Sequence, residues 1–343
     1  MNEQTLKATA AALTADARGL LAMDESNPTA DKRFAALDIA QTPEMRRAYR
    51  DMIVTAPGLA ESISGAILYD ETIRSTTLAD VPFARALEKI GIIPGIKVDG
   101  GTKPLALHDG EVVTEGLDGL RDRLAGYAKM GARFAKWRAV ITIDEGKHAP
   151  SHSCIAANAD ALARYAALCQ EADIVPIVEP EVLMDGDHTL ARCAEVTERT
   201  LHAVFDALRD QRVLLEGVVL KPNMIVPGLK CPAQAGADAV ADLTVAVFRR
   251  VVPAAVGGIA FLSGGQSAQD ATARLAAMHR RHARTLPWPL AFSFARAIQD
   301  PAMKAWAGRK ENVAAAQKAL VERARLNRLA RRGEYTVAME TPH

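Results

Sequence analysis

The sequence predicts an α/β protein, a single-domain (β/α)8 barrel with extra N- and C-terminal helices. Eight short apolar runs recur along the 343 residues, mostly helical patterns separate them, and nearly every run ends in a charged or hydroxyl side chain. An open doubly wound sheet would not need eight similar units. No repeat or low-complexity linker marks a boundary, so residues 1–343 are expected to form one domain, with 334–343 as a flexible tail.

Residues 2–17 read as a helix and lead into the first run, GLLAMD, which ends at Asp24. A polar, proline-containing loop, ESNPTADKR, follows. PEMRRAYRDMIVTA is helical, GAILYD ends at Asp70, VPFARALEKIG is helical, and GIIPGIKVDG ends at Lys97 and Asp99. The pattern LDGLRDRLAGYAKMG precedes ARFAKWRAV, which carries Lys136 and Arg138. A helix over 156–170 precedes DIVPIVEPEV with Glu179 and Glu181. HTLARCAEVTERTLHAVFDALRD leads to LEGVVLKPNM (215–224), read as a buried strand ending at Lys221. Runs seven and eight are GGIAFLSGG, with Ser263, Gly264 and Gly265, and PLAFSFAR, with Arg296. Residues 301–332 read as helix.

Alternate residues of a strand face the same side, so each i,i+2 pair of charges lies on one face. In a barrel that face can be the interior mouth at the C-terminal strand ends, where barrel enzymes place catalysis. Pro222 holds Lys221 in an extended conformation. Lys97, Lys136 and Arg138 are then cationic neighbours, and like charge with desolvation favours the neutral amine, a nucleophile toward carbonyls. Glu179, Glu181 and Asp24 supply carboxylates for proton transfer. The Gly264–Gly265 pair lets backbone N–H groups approach a ligand, and Ser267 with Asp270 reads as a capping box opening a helix. A strand end followed by a helix N-terminus, with Arg296 on the next strand, suits a phosphate.

A formal net charge of +1 with scattered basic residues predicts neither nucleic acid nor a membrane surface as partner. A 49% hydrophobic and 24% charged composition supports a large core. The cysteines, Cys154, Cys169, Cys193 and Cys231, lack C-x-x-C spacing and read as reduced thiols of a cytoplasmic protein. His279 and His282 read as part of a basic helix face, and no histidine shows metal-ligand spacing, so no metal is expected. Trp137, between Lys136 and Arg138, should point away from the barrel interior.

At these residues the chain resembles the class I fructose-1,6-bisphosphate aldolases, the metal-independent Schiff-base family. The resemblance spans nearly the whole sequence and rests on GLLAMDES, GIKVDGG, FAKWRAV, IVPIVEPE, DGDH, LEGVVLKPNM, FLSGGQS, SFARAIQ and MKAWAGRKEN. It implies that Lys221 forms the imine with the ketose, with Glu179 as the principal acid and base. It further implies that Asp24 and Lys136 orient the C4 hydroxyl and the carbinolamine, while Glu181 holds the lysine charges in place. Ser263, the Gly264 and Gly265 backbone and Arg296 would grip the C1 phosphate. Lys97, Ser26, Thr29 and Arg33 would bind near the C6 phosphate, with Arg138 supporting charge in the same mouth. The implied substrate is a phosphorylated sugar, with no cofactor, and the implied assembly is a cytoplasmic homotetramer serving glycolysis and gluconeogenesis.

Three departures stand out. Asn27 and Pro28 replace the family's glycine after DES, and Ala295 replaces a glycine before the phosphate arginine, which would force an adjustment if that position had positive φ. The tail ends at TVAMETPH, and Tyr335 lies too early to be equated with the terminal tyrosine of the animal enzymes, leaving enamine protonation to another group or water. Two other readings stand beside it: another lysine-imine barrel enzyme (transaldolase-like, or preferring sedoheptulose-1,7-bisphosphate or fructose 1-phosphate), and a noncatalytic barrel binding protein.

Overall fold

The computed structural model describes residues 1–340. Eight parallel strands close into a barrel: β1 (Gly19–Ala22), β2 (Ile63–Leu68), β3 (Ile93–Lys97), β4 (Phe134–Ile141), β5 (Val175–Val182), β6 (Val219–Leu220), β7 (Gly258–Phe261) and β8 (Leu290–Phe294). Each strand pairs with its sequence neighbours, and β1 closes against β8 through Leu20 opposite Ser293. The strands are buried on both faces, which explains why they read as continuous apolar runs.

Residue parity divides the interior into a dry floor and a charged mouth. Leu20, Ile67, Phe134, Val175, Ile177, Val219 and Ala260 point inward and pack with Leu6, Ala10 and Leu13 of the helix Glu3–Leu13, which plugs the N-terminal end. One or two inward positions further along, the same strands present Asp24, Lys136, Glu179 and Lys221. Gly95 in β3 leaves room for this packing: a Cβ there would lie 2.2 Å from the Phe134 ring. Trp137 has the opposite parity and faces outward as expected, fully buried with its ring 5.5 Å from that of Tyr165 on the helix His152–Glu171.

Several elements differ from the sequence expectation. ESNPTADKR is not a loop: Asn27–Ala35 is a helix with Ser26 at its N-cap and Pro28 in its first turn, where the missing N–H costs nothing. The 215–224 segment contains only the two strand residues of β6, after a 3-10 turn at Leu215–Gly217. Arg296 lies off the strand, as the first residue of the helix Arg296–Trp306. The C-terminal helical stretch breaks at Ala307 and Gly308, both with positive φ, before the helix Val313–Arg331. A short hairpin, Thr102–Pro104 with Val112–Thr114, is inserted after β3. In the tail expected to be flexible, Tyr335 is buried and Glu340 pairs with Arg323 and accepts the Tyr335 hydroxyl, while Val337 and Met339 are exposed. Residues 341–343 lie outside the described residues.

Candidate active site

The C-terminal strand ends enclose a cavity of about 480 Å³. Across it runs a row of alternating charges. Lys136 Nζ lies 2.8 Å from Asp24 Oδ2 and 3.3 Å from Glu179 Oε2, and Lys221 Nζ lies 3.1 Å from Glu179 Oε1. All four side chains are at least nine-tenths buried. Taking ions out of water costs several kcal/mol each, so four at one strand-end layer are retained for more than stability. The setting corrects the like-charge cluster expected from sequence, because carboxylates alternate with the ammonium groups and Lys221 faces Glu179 directly.

The Lys136–Asp24 bond reaches across the barrel between strands that do not pair, which only closure of the sheet makes possible. Burial acts to raise the Asp24 pKa, but Lys136, Lys221 and Lys97 outweigh it and hold the carboxyl at about 2. Burial likewise acts against the Lys136 ammonium, and Asp24 with Glu179 overcomes it, raising Lys136 above the ordinary lysine range. Because the folded Asp24 value lies below its ordinary 3.8, its stabilising contribution is complete above about pH 4 and fades as pH falls toward 2. That contribution is about 2 kcal/mol. Urea unfolding of an Asp24→Asn variant should therefore lack this portion of the acid-side loss of stability seen in the parent chain.

Lys221 sits where the ladder is shortest. Its N–H donates to Val178 O at 2.8 Å, and Pro222 then has no N–H to give. Asn223 replaces the missing link through its side chain: Oδ1 accepts from Val182 N at 3.0 Å, and Nδ2 donates to Thr197 Oγ1 at 3.2 Å. Asn223→Ala should leave the buried Val182 N–H without an acceptor and cost about 1–3 kcal/mol, read by denaturant unfolding.

Of the other expected residues, Glu181 pairs with Arg138 and with neither lysine. Lys97 is held 2.6 Å from Asp99 Oδ1, so a phosphate there would share its charge with Asp99. Ser26, Thr29, Ser263, Gly264 and Arg296 line the cavity, with Ser26 Oγ 3.0 Å from Thr29 Oγ1. Gly264 has φ +59°, and a Cβ would meet Leu262 Cδ1 at 2.9 Å, so glycine keeps this backbone close to the cavity. Gly265 opens instead, beside Arg296, into an adjoining cavity of about 630 Å³. Arg33 does not line the cavity; its guanidinium is spent on Glu25 and Asp300. Asp70 is also turned away, held by Arg74 and Tyr127. Ala295 has φ −102°, so no positive-φ position is strained by its side chain.

Glu25, Tyr69 and Ser293 also belong to the cavity wall, and strand-end position alone does not point to them. Glu25 lines the wall and is clamped by Arg33, Arg50 and Gln299. Tyr69 takes the place expected for Asp70. Ser293 lines the cavity although it is 1% exposed, and its Oγ has no hydrogen-bond partner among the described residues. Its position two residues before Ala295 on an apolar run was the only signal, and a serine there is usually packing. Among the described residues no group of three or more His, Cys, Asp or Glu is arranged to hold a metal ion.

The family model for fructose-bisphosphate aldolase class-I matches residues 5–343. A probable fructose-bisphosphate aldolase class 1 of Xanthomonas campestris is 53% identical over 336 residues, spanning 98% of this chain and 99% of that protein. The cytoplasmic isozyme of Cicer arietinum is 49% identical, over 96% of this chain and 91% of its own length. A fructose-bisphosphate aldolase from Plasmodium falciparum, solved with TRAP and a small-molecule inhibitor, superposes with a TM-score of 0.95 at 46% identity, covering 97% of this chain and 95% of that one.

Proposed function

The chain belongs to the class I fructose-bisphosphate aldolase family, and from that premise we propose a role for each side chain of the charged row in fructose 1,6-bisphosphate cleavage. The observation that supports this most is the single carboxylate, Glu179, lying between two ammonium groups, 3.1 Å from Lys221 and 3.3 Å from Lys136. Lys221 passes a proton to Glu179, and the free amine attacks the C2 carbonyl to give a carbinolamine. Glu179 returns the proton to the departing hydroxyl, water leaves, and a protonated imine remains. Glu179 then accepts the C4 hydroxyl proton as the C3–C4 bond breaks. The bonding electrons move into the iminium to form an enamine, and glyceraldehyde 3-phosphate departs. Protonation of the enamine and hydrolysis of the imine release dihydroxyacetone phosphate and restore Lys221.

Lys136, fixed by Asp24, polarises the C4 oxygen and the carbinolamine. Arg138 with Glu181 frames the mouth. Ser263, the Gly264 backbone and Arg296 at a helix N-terminus take the C1 phosphate, with Gly265 at their outer edge, and Ser293 reaches the same end. Lys97, Ser26 and Thr29 take the C6 phosphate, and Arg33, committed to Glu25 and Asp300, is left out of that grip. Holding both ends of the substrate orients the scissile bond over Lys221.

The pathway role is glycolysis and gluconeogenesis, and the assembly is a homotetramer, for which light scattering is the check. No described helix is long and apolar enough to cross a membrane. All four cysteines are free and buried, which supports a cytoplasmic location. The decisive experiment is peptide mass spectrometry after borohydride reduction with dihydroxyacetone phosphate in excess EDTA. A reduced adduct on Lys221 is expected; an adduct on Lys136 or Lys97 would overturn the assignment of the nucleophile.

A further inference from the structure

The N-terminal end of the barrel, opposite the catalytic mouth, carries a concentration of arginines that the reaction does not use. A cavity of about 590 Å³ opens there, bordered by Arg18, Arg328 and Arg332, with Asp16 and Glu61 on the same rim. Arg331, adjacent on the helix, is 9% exposed and gives its Nη1 and Nη2 groups to the carbonyls of Arg18 and Thr14. That fastens the 14–18 turn, in which Asp16 and Ala17 both have positive φ, against the helix end.

The charges are poorly matched within the protein. Arg323 and Arg325, earlier on the same helix, pair with Glu340 and Glu322. Among the described residues, by contrast, no carboxylate lies within ion-pair distance of Arg328, Arg331 or Arg332, and Arg18 reaches only Asp16, at 3.3 Å. The Nε atoms of Arg18, Arg328 and Arg331 are buried with no hydrogen-bond partner among those residues, as is that of the carboxylate-paired Arg323, so the contrast lies in the missing carboxylates. The helix C-terminus accounts for basic residues in its last turn, since the macrodipole favours cations there. It does not account for Arg18, which lies off that helix, nor for a rim on which Arg18, Arg328 and Arg332 share only Asp16 within ion-pair distance among the described residues. Burial also lowers the Arg331 pKa to about 10, with Asp16 the one group offsetting it, as expected for a cation short of counter-charge.

We propose that this cavity is a second anion site, which takes a small phosphate dianion, free or at the head of a phosphomonoester, between Arg18, Arg328 and Arg332. Guanidinium groups suit it because their forked donors match phosphate oxygens two at a time. The depression is open to solvent on one side and Arg332 is exposed, so an organic group beyond the phosphate would project outward. The site does not rest on the roles assigned at the catalytic mouth, and no residue is shared between the two.

Equilibrium dialysis of inorganic phosphate, and separately of phenyl phosphate, against the full chain and an Arg328→Gln/Arg332→Gln variant tests the proposal. The variant should bind one equivalent fewer per chain while its circular dichroism and its cleavage kinetics for fructose 1,6-bisphosphate stay unchanged, because the catalytic phosphate pockets are intact. Preference for one probe would identify the source of the phosphate. Identical isotherms for the two proteins would overturn the proposal. So would binding that an equal ionic strength of chloride abolishes, since that marks diffuse surface charge. Should the double variant fail to fold, a crystal of the parent chain soaked in phosphate gives the same decision: density between Arg328 and Arg332 is expected, and density confined to the catalytic mouth refutes the site.

Discussion

Lys221→Met should yield a folded barrel that cleaves fructose 1,6-bisphosphate at least about 10⁴-fold more slowly, with no borohydride-trapped adduct. Methionine keeps an unbranched side chain one atom shorter and loses the amine, so the C2 carbonyl has nothing to attack it. The remaining row stays balanced well enough to fold, because Glu179 keeps its contact with Lys136 and Lys136 keeps Asp24. Circular dichroism and thermal melting separate loss of chemistry from loss of structure. The two phosphate grips are untouched, so substrate affinity should change little, which isothermal titration can measure. Cleavage within about tenfold of the parent chain would mean that another lysine forms the imine, and the roles drawn for the row would fail together.

Glu179→Gln should lower kcat by about 10² to 10⁴ with little change in KM, and should slow imine trapping while leaving the adduct on Lys221. Glutamine fills the same space and can still accept a hydrogen bond, but it cannot take a proton from Lys221 or from the C4 hydroxyl. The substitution also takes from Lys221 its 3.1 Å partner, which leaves a buried cation uncompensated. A lower melting temperature is therefore expected beside the kinetic loss. Normal trapping with slow cleavage would confine Glu179 to the C4 step. A kcat within a few-fold of the parent would move the proton transfers to Asp24 or Glu181.

These two residues were legible in the sequence because strand periodicity is local. Residues 175, 177, 179 and 181 must share a face, as must 134, 136 and 138, whatever the strands pair with. An apolar lower half followed by charges in the same phase therefore indicates an interior with a dry floor and a polar mouth. The eight-fold recurrence of that pattern carried the barrel, and the run of family motifs carried the chemistry. Local reading failed where two structures compete for the same residues. Pro28 reads locally as a loop residue, although the first turn of a helix tolerates it. Arg296 reads locally as the end of β8, although the strand ends at Phe294 and a helix begins at Arg296.

Pairing across the barrel was not legible. Nothing in GLLAMD or FAKWRAV says that Asp24 meets Lys136 at 2.8 Å, because that contact depends on strand stagger and on closure between strands that never touch as backbones. The same holds for Arg33, which pairs with Glu25 and Asp300, and for Glu181, which pairs with Arg138 instead of a lysine. It holds for Ser293, whose hydroxyl has no hydrogen-bond partner among the described residues. The sequence by itself determined which side chains face inward and in what order they rise from floor to mouth, since the alternation of a strand is covalent geometry. The tertiary structure alone decided which charge neutralises which, since an ion pair depends on distance through space, and the closed sheet brings together residues more than a hundred positions apart.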